Sequence, residues 1–464
     1  MSTVILKAEC LCRAHTFTHS VPLSTLPLRG SSCHCTSCRH VTGALRGSAD
    51  AVWPGPTADI VRVAGEPPRH DGDDADNNDG EKNNEGNAKL ARYRHSPRVN
   101  VLFCARCGTE LFFEEWENAE AKKSGAEAAY AVFTGALNAA AAEGPEGADV
   151  PPITSVQVVQ YADHIFVGDT RDGGALPWLR GINGEGQPAP KVWLGGRNRS
   201  EEVAEGVRWP AVEALAKFED GLKGAEGDAG NVPIRCHCGG IDLVLRAGEA
   251  QREFEALQKS GKELPWFADP VTYKGVGSVD GCDSCRLAVG SELHNWTFAL
   301  VKHISFAGAD QGGFPEDTLG LRAAVDAADG TTRDPRFGTI TYYSSSPEVQ
   351  RYFCGRCSAV LFYAADDRSE LVDVAVGLLD APDGARAETA VSWAFGSPIV
   401  YRQDMIGTWR EALVTAVERD AEAWRIERGY PKFWRRAAKE AAEKAEQEKA
   451  DKEKAEKEKA SGAN

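Results

Sequence analysis

The sequence predicts a mainly β protein in which one cysteine-rich domain occurs twice. Three observations support this fold class: an internal repeat, short runs of alternating apolar and polar residues, and 13 cysteines that all lie in the repeated motifs. The repeated segments follow the same order in both copies, so we interpret them as a duplication. At 464 residues the chain is also too long for a single ordinary core.

The internal repeat consists of short motifs rather than of continuous similarity. Each motif contains cysteine or glycine at fixed spacing, and the spacers between motifs differ in length. Gly43 and Gly290 also stand at the same distance beyond the second motif in each copy. The matched segments are Cys10–Cys12 with Cys236–Cys238, Cys35–Arg39 with Cys282–Arg286, Tyr93–Cys107 with Tyr343–Cys357, and Gly135–Asn138 with Gly377–Asp380.

The β assignment rests on short runs with a two-residue period. Such runs occur at 131–134, 155–159, 340–343 and 371–376, and glycine or proline interrupts the chain between them. Turn signals at intervals of about ten residues are typical of antiparallel β domains. The cysteine pairs are then expected on the turns between strands.

The repeats and the spacers predict the domain boundaries. Residues 71–88 are acidic and rich in Asn and Gly, which predicts a disordered insertion. The periodic Val212, Leu215, Phe218 and Leu222 predict a connecting helix, and the spacing within 248–265 predicts a short helix. The resulting units are a first domain at 1–196, a helical linker at 197–231, a second domain at 232–405 and a helical, charged C-terminal tail at 406–464.

Charge and composition exclude several classes of partner. The formal net charge is −16, which argues against binding nucleic acid or an anionic membrane surface. The chain has no run of 18 apolar residues and no secretory signal at its start, so we predict an intracellular, cytoplasmic protein. In that reducing compartment clustered cysteines are more often metal ligands than disulfides. These features leave a small molecule as a candidate partner. No pattern indicates an oligomeric state.

Two sets of four cysteines predict closed zinc sites. A CxC or CxxC pair supplies two thiolates from one turn, and tetrahedral zinc needs four such ligands. The alternative is a set of buried free thiols or disulfides. The predicted sets are Cys10, Cys12, Cys104 and Cys107 in the first domain, and Cys236, Cys238, Cys354 and Cys357 in the second.

The remaining cysteines predict sites of a different kind. Cys33, Cys35 and Cys38 offer three thiolates, and three protein ligands with an open fourth position are typical of catalytic zinc. The alternative is a second structural site that an unseen ligand such as a histidine completes. The second domain has Asp280, Cys282 and Cys285 at the matching positions, which is either a site of altered affinity or a decayed copy. The sequence therefore predicts two Zn²⁺ ions per domain, the fourth being the doubtful one.

Together these motifs resemble the glutathione-dependent formaldehyde-activating enzyme family, which also includes centromere protein V. The resemblance rests on a CxC near the start, a CHCxxCR at Cys33–Arg39 and an FCxxCG at Phe103–Gly108, and it covers most of 1–170 and 232–400. It implies two β-tent zinc-binding domains in tandem and a carbon–sulfur lyase type of activity on a thiol–aldehyde adduct such as S-hydroxymethylglutathione. By this resemblance the closed sets hold structural zinc, and Cys33, Cys35 and Cys38 hold the reactive ion.

The sequence departs from the family pattern at three positions. Arg13 stands where glycine follows the first CxC, Ser358 replaces the glycine seen at 108, and Asp280 replaces the first cysteine of the triad. These changes leave metal binding expected in both domains but question catalysis in the second. A non-catalytic zinc-binding module for protein interaction is the competing function, and a single active domain supported by the other is a third possibility.

Two arginines follow the triads at equivalent positions. Arg39 and Arg286 are candidates to bind the carboxylate of a small-molecule thiol, for which glutathione is the model. The alternative is that each pairs with a local acid or with the end of a helix.

Overall fold

The computed structural model describes residues 3–49, 51–65, 90–143, 153–211, 215, 230–308, 312–327 and 332–461. Within these ranges the chain is mostly β, as predicted, with 23 strands and eight helices. The insertion predicted at 71–88 lies outside the described residues.

The first repeat contains thirteen strands in three sheets. Its helices are α1 (Thr36–Thr42), α2 (Thr57–Ala64) and α3 (Ala119–Lys123). Its strands are β1 (Thr3–Glu9), β2 (Thr16–Pro22), β3 (Leu28–Cys33), β4 (Gly47–Ala49), β5 (Ala51–Val52), β6 (Leu90–Ser96), β7 (Val99–Cys104), β8 (Glu110–Glu115), β9 (Ala129–Val132), β10 (Leu137–Glu143), β11 (Val159–Ile165), β12 (Lys191–Trp193) and β13 (Glu202–Val203). The sheet orders are β10-β1-β2, β13-β12-β11-β3-β4 and β5-β9-β8-β7-β6.

The second repeat contains ten strands in two sheets. Its helices are α4 (Ala247–Lys259), α5 (Asp283–Val289) and α6 (Thr318–Asp326). Its strands are β14 (Val232–Arg235), β15 (Asp242–Leu245), β16 (Gly275–Asp280), β17 (His294–Leu300), β18 (Ile304–Phe306), β19 (Ile340–Ser346), β20 (Val349–Cys354), β21 (Val360–Ala365), β22 (Leu371–Ala375) and β23 (Val391–Trp393). The sheet orders are β14-β15-β18 and β19-β20-β21-β22-β17-β16-β23.

The strand orders of the two repeats correspond. The seven-stranded sheet of the second repeat matches β6-β7-β8-β9-β5 followed by β4-β3-β11 in the first, where the sheet divides between β4 and β5. In each repeat the last strand of this series pairs in parallel with the strand that leads into the cysteine triad, as β11 does with β3 and β23 with β16. The repeated motifs thus occupy equivalent places in equivalent sheets.

The strands form where the side-chain pattern allows burial. On β1 the buried Val4, Leu6 and Ala8 alternate with more exposed residues, because successive side chains point to opposite faces of a sheet. Strand β7 is buried along its whole length, which fits a central strand covered on both faces. Helix α1 ends at Gly43, whose φ of 83° is the left-handed conformation that glycine adopts without strain.

Four glycines bring the backbones of the two repeats together. The amide of Gly135 donates to the carbonyl of Gly290 over 2.9 Å, and the amide of Gly377 donates to the carbonyl of Gly43 over 3.0 Å. A Cβ atom on Gly135 would overlap the backbone of Ser291, and one on Gly377 would overlap carbonyl oxygens of the first repeat. The contact is therefore reciprocal and requires glycine, and we call these four residues the glycine cross.

The two arginines proposed as carboxylate binders lie buried beside the glycine cross. Arg39 donates from Nη1 to the carbonyl of Gly377 over 3.1 Å, and Arg286 donates from Nη1 to the carbonyl of Gly135 over 2.6 Å. Arg286 also donates to Asp283 on its own helix. This geometry favours a role in joining the repeats over the predicted contact with a substrate carboxylate.

A buried polar group joins the repeats at a second place. The Glu292 carboxylate accepts hydrogen bonds from Arg46 and Ser48, both over 2.8 Å, and from the Tyr161 hydroxyl. The side chains of Arg46 and Glu292 are 3% and 0% exposed, so this ion pair is enclosed. A buried charge is stable only beside its partner. Separating the repeats would therefore leave Arg46 and Glu292 without their ion pair, which is unfavourable.

The helices outside the repeated motifs agree with the predictions only in part. The short helix predicted within 248–265 is present as α4. The described part of the proposed linker, 197–211, contains β13 and turns, and the residues Val212, Phe218 and Leu222 that predict the connecting helix lie outside the described residues. None of the helices in the described ranges is long and apolar enough to span a membrane.

The C-terminal segment consists of two different helices. Helix α7 (Glu411–Glu427) buries Leu413, Val414 and Trp424, and the Trp424 ring lies 5.9 Å from that of Trp178. This helix therefore belongs to the core and is not part of a tail. Helix α8 (Trp434–Ser461) is largely exposed where its side chains are described, as its Ala, Glu and Lys composition predicts.

Substituting Gly377→Ala tests the glycine cross. The added methyl group has no space against the backbone of the first repeat, so we expect a loss of about 1–3 kcal/mol in the free energy of unfolding, measured by urea denaturation. Gly196→Ala is the matched control, because its new Cβ would meet only ordinary contacts at 3.6 and 3.9 Å. An equal, small effect of both substitutions would contradict the predicted constraint.

Candidate metal centres

The first predicted set of four cysteines converges between two turns of the first repeat. Cys10 and Cys12 follow β1, and Cys104 and Cys107 stand at the end of β7 and on the turn after it. The Sγ atoms of Cys10 and Cys12 are 3.5 Å apart, and those of Cys12 and Cys104 are 3.6 Å apart. All four sulfurs lie within 4.8 Å of one another. A zinc tetrahedron with Zn–S bonds of about 2.3 Å has sulfur–sulfur edges of about 3.8 Å, so the spacing fits a metal ion.

The second set of four converges in the same manner. The Sγ atoms of Cys236 and Cys238 are 3.5 Å apart, and Cys238 Sγ is 3.4 Å from Cys354 Sγ. Backbone amides of Gly240 and Ile241 donate to the sulfurs of this CxC pair over 3.4 and 3.2 Å. Amide donors around thiolates orient the ligands and stabilise their charge. Both sets can therefore hold a metal ion, as the sequence predicted, and their chemistry is compatible with zinc.

The ionisation of the crowded thiols supports the same conclusion. All 13 cysteines carry free thiols. The hydrogen bond from Cys10 lowers the pKa of Cys12, while its hydrogen bond with Cys104 raises the pKa of Cys104. One sulfur ionises at the expense of its neighbour because adjacent thiolates repel each other. A divalent cation would offset the repulsion between the thiolates, so this set of ligands fits a metal ion.

The three cysteines of the first triad also converge. Cys33 ends β3, Cys35 caps the N-terminus of α1 and Cys38 lies in the first turn of that helix. The Sγ atoms of Cys33 and Cys35 are 3.4 Å apart, and the three sulfurs lie within 4.8 Å of one another. Cys33 and Cys35 are partly exposed and Cys38 is buried. Hydrogen bonding from Cys33 lowers the pKa of Cys35, and the amide of Cys38 also donates to Cys35 Sγ.

Two histidines and a tyrosine lie beside the first triad. Nε2 of His95, on β6, is 3.9 Å from Cys38 Sγ, yet His95 is outside the group whose ligand atoms all lie within 4.8 Å of one another. The rings of His95 and His237 are 4.7 Å apart, and the Tyr93 hydroxyl is 2.6 Å from Nδ1 of His237. Because His237 belongs to the second repeat, side chains of both repeats surround this triad.

His34 points away from the cysteines that flank it. Its Nε2 is 3.0 Å from Nδ1 of His164 and its ring is buried, and burial lowers the pKa of His34 well below its usual value. The histidine that stands beside the triad in space is thus His95, which is distant along the chain.

The second triad has a different environment. The sulfurs of Cys282 and Cys285 and a carboxylate oxygen of Asp280 lie within 4.8 Å of one another. One oxygen of Asp280 accepts from the Cys282 amide over 2.7 Å, and burial raises the pKa of Asp280 to about 7. The guanidinium of Arg351, on β20, lies 3.6 Å from Cys285 Sγ and 2.7 Å from the Ser284 hydroxyl.

The sequence prediction missed His95, His237 and Arg351. Each of them occupies a repeat position where the two copies differ, as His95 matches Ser345, His237 matches Leu11 and Arg351 matches Val101. The alignment of the two copies shows these three differences, but other positions in the same motifs differ as well, so the sequence alone does not single them out.

Comparisons of the chain with protein-family models, curated proteins and solved structures give no match.

Removing one ligand from a four-cysteine set and one from the first triad should have different consequences. Cys104→Ser is expected to lose about one metal ion per chain and to lower Tm by about 10 °C or more, because the binding energy of a structural metal is also folding energy. Cys35→Ser is expected to lose one ion with a much smaller change in Tm, since its sulfur is partly exposed. Elemental analysis and calorimetry measure both quantities, and equal Tm losses would contradict the distinction.

Proposed function

We propose that the protein is a zinc-dependent enzyme of the carbon–sulfur lyase type that acts at Cys33, Cys35 and Cys38. The proposal joins the family resemblance of the cysteine motifs to one observation on the site. Three sulfurs converge, two of them partly exposed, and no fourth His, Cys, Asp or Glu among the described residues completes the group. Such a site has room for a substrate ligand.

The proposed substrate is a thiol–aldehyde adduct such as S-hydroxymethylglutathione. Cys33, Cys35 and Cys38 would hold the zinc ion, which would supply a Lewis acid for a substrate sulfur. When the adduct splits, its carbon–sulfur bond breaks, the sulfur keeps the electron pair, and the hydroxyl group loses its proton as the aldehyde C=O forms. The reverse reaction joins the same thiol and aldehyde.

The residues around the triad support binding of a small polar adduct. His95 stands next to Cys38 and would donate to the hydroxyl or carbonyl oxygen of a substrate bound at the triad. The hydrogen bond between Tyr93 and His237 places a second polar group close to the His95 ring. Because packing holds His95, Tyr93 and His237 in place, these side chains would orient the substrate without having to change conformation during the reaction.

The proximity of His95 also favours the second candidate function, a non-catalytic zinc module for protein interaction. A short movement of His95 toward the triad would complete a Cys3His site, which is a closed structural arrangement. Cobalt substitution separates the two candidates. An open site changes its visible absorption spectrum when glutathione is added, whereas a site closed by His95 keeps its spectrum.

The catalytic proposal predicts a specific loss of activity. In Cys35→Ser, exchange between glutathione, formaldehyde and their adduct, followed by NMR, should fall to the rate in buffer. Cys282→Ser is the matched control, because it changes the equivalent position of the other repeat, and it should keep the wild-type rate. The proposal is wrong if zinc-loaded wild type does not accelerate the exchange over buffer.

His95→Ser introduces the residue that the second repeat has at the equivalent position. If His95 donates to the substrate oxygen, we expect kcat to fall about 10²-fold with the zinc content unchanged. Loss of one zinc ion per chain in this variant would instead identify His95 as a ligand. Kinetics and elemental analysis of the same preparation distinguish these outcomes.

A further inference from the structure

The second triad already contains a cation that belongs to the chain. Arg351 extends from β20 to the first turn of α5, where its Nη1 contacts Cys285 Sγ and its Nη2 donates to Ser284. Its Nε donates to the Ser345 hydroxyl over 3.2 Å, and its guanidinium lies 5.0 Å from the ring centroid of Tyr363. Arg351 is 6% exposed. Contacts on several sides hold this positive charge next to the sulfurs.

We infer that Arg351 takes the place of the metal ion at the second triad, so that Asp280, Cys282 and Cys285 form a site that does not bind zinc. The guanidinium is permanently charged and has only donors, so it can neither leave by deprotonation nor act as a ligand. A divalent cation bound by the same three residues would be repelled by a buried positive charge that already contacts one of its ligands.

The ligand set of the second triad is weakened as well. The third thiolate of the first triad is replaced by the Asp280 carboxylate, a harder ligand than a thiolate. Cys285 is buried and engaged with Arg351. The second triad therefore offers two thiolates instead of three, and the contact with Arg351 engages one of those two sulfurs within the chain.

The first repeat differs at the same positions. The residue equivalent to Arg351 is Val101, which is fully buried on β7 and carries no charge. The residue equivalent to Ser345 is His95, which lies next to Cys38. The position of Arg351 thus carries no cation in the first repeat, and our inference assigns that place beside the first triad to a metal ion from solution.

This inference predicts three bound ions per chain and not four, because only three of the four candidate groups would then take a metal. The triad of the second repeat would also keep its structure when zinc is removed by a chelator, since Arg351 remains in place. The two repeats thus share a fold, but the charge of one triad is balanced by a metal ion and that of the other by Arg351.

The test is elemental analysis of the full-length, zinc-loaded chain and of two sets of variants. Cys282→Ser should contain as much zinc as wild type, and loss of one ion in this variant would overturn the inference. The double variant Asp280→Cys with Arg351→Val restores the residues of the first repeat and should gain about one ion. A double variant with wild-type circular dichroism and no additional ion would also overturn it.

Converse and control variants complete the test. Val101→Arg introduces the proposed cation into the first repeat and should lose the same single ion as Cys35→Ser; unchanged zinc would contradict the exclusion of metal by arginine. Arg368→Val removes another arginine that lies over the Tyr363 ring and should leave the zinc content unchanged, and a gain of one ion there would count against a specific role of Arg351. Because wild type and Cys282→Ser are compared directly, an empty first triad would refute the proposed function without affecting this result.

Discussion

The close approach of two backbones at the glycine cross is the constraint on which the arrangement of the repeats depends. Gly135 and Gly377 each donate to the other repeat at a distance that leaves no space for a side chain. Arg39 and Arg286 reinforce these two contacts by donating to the carbonyls of the same glycines. Because the contacts are reciprocal, they fix both the separation and the relative orientation of the repeats.

This orientation gives the first triad a wall made by the second repeat. His237 stands between two cysteines of the second four-cysteine set, so the convergence of that set constrains the backbone at His237. Tyr93 then holds the ring through its hydroxyl group, and the ring in turn lies against His95. A second group of cysteines that can hold a metal ion thus helps to shape the surroundings of the site for which we propose chemistry.

The two triads lie on equivalent strands and helices but have different charged neighbours. The strands and the helix that present Cys35 and Cys282 are equivalent, and so are the turns that lead into them. A substitution on the neighbouring strand, Val101 in one copy and Arg351 in the other, decides whether a positive charge is built into the site. Most of the cysteines are therefore matched between the copies, whereas residues that contact the two triads differ.

The sequence by itself determined the β class and the membership of all four cysteine groups, because each motif places two or three ligands on one short turn and the repeat pairs the motifs. It also predicted α4 and the exposed α8, whose patterns are local. It did not predict that α7 packs into the core, since a helix with a mixed pattern acquires its buried face only from its neighbours.

Only the tertiary structure decided the roles of the residues around the sites. Arg39 and Arg351 are both arginines next to cysteine motifs, yet one joins the repeats and the other contacts the sulfur of Cys285. His34 lies between two ligands in sequence but points away from them, while His95 is distant in sequence and adjacent in space. The physical reason is that the role of a charged or aromatic side chain depends on the groups that it contacts. The glycine cross determines which residues of the two repeats face each other.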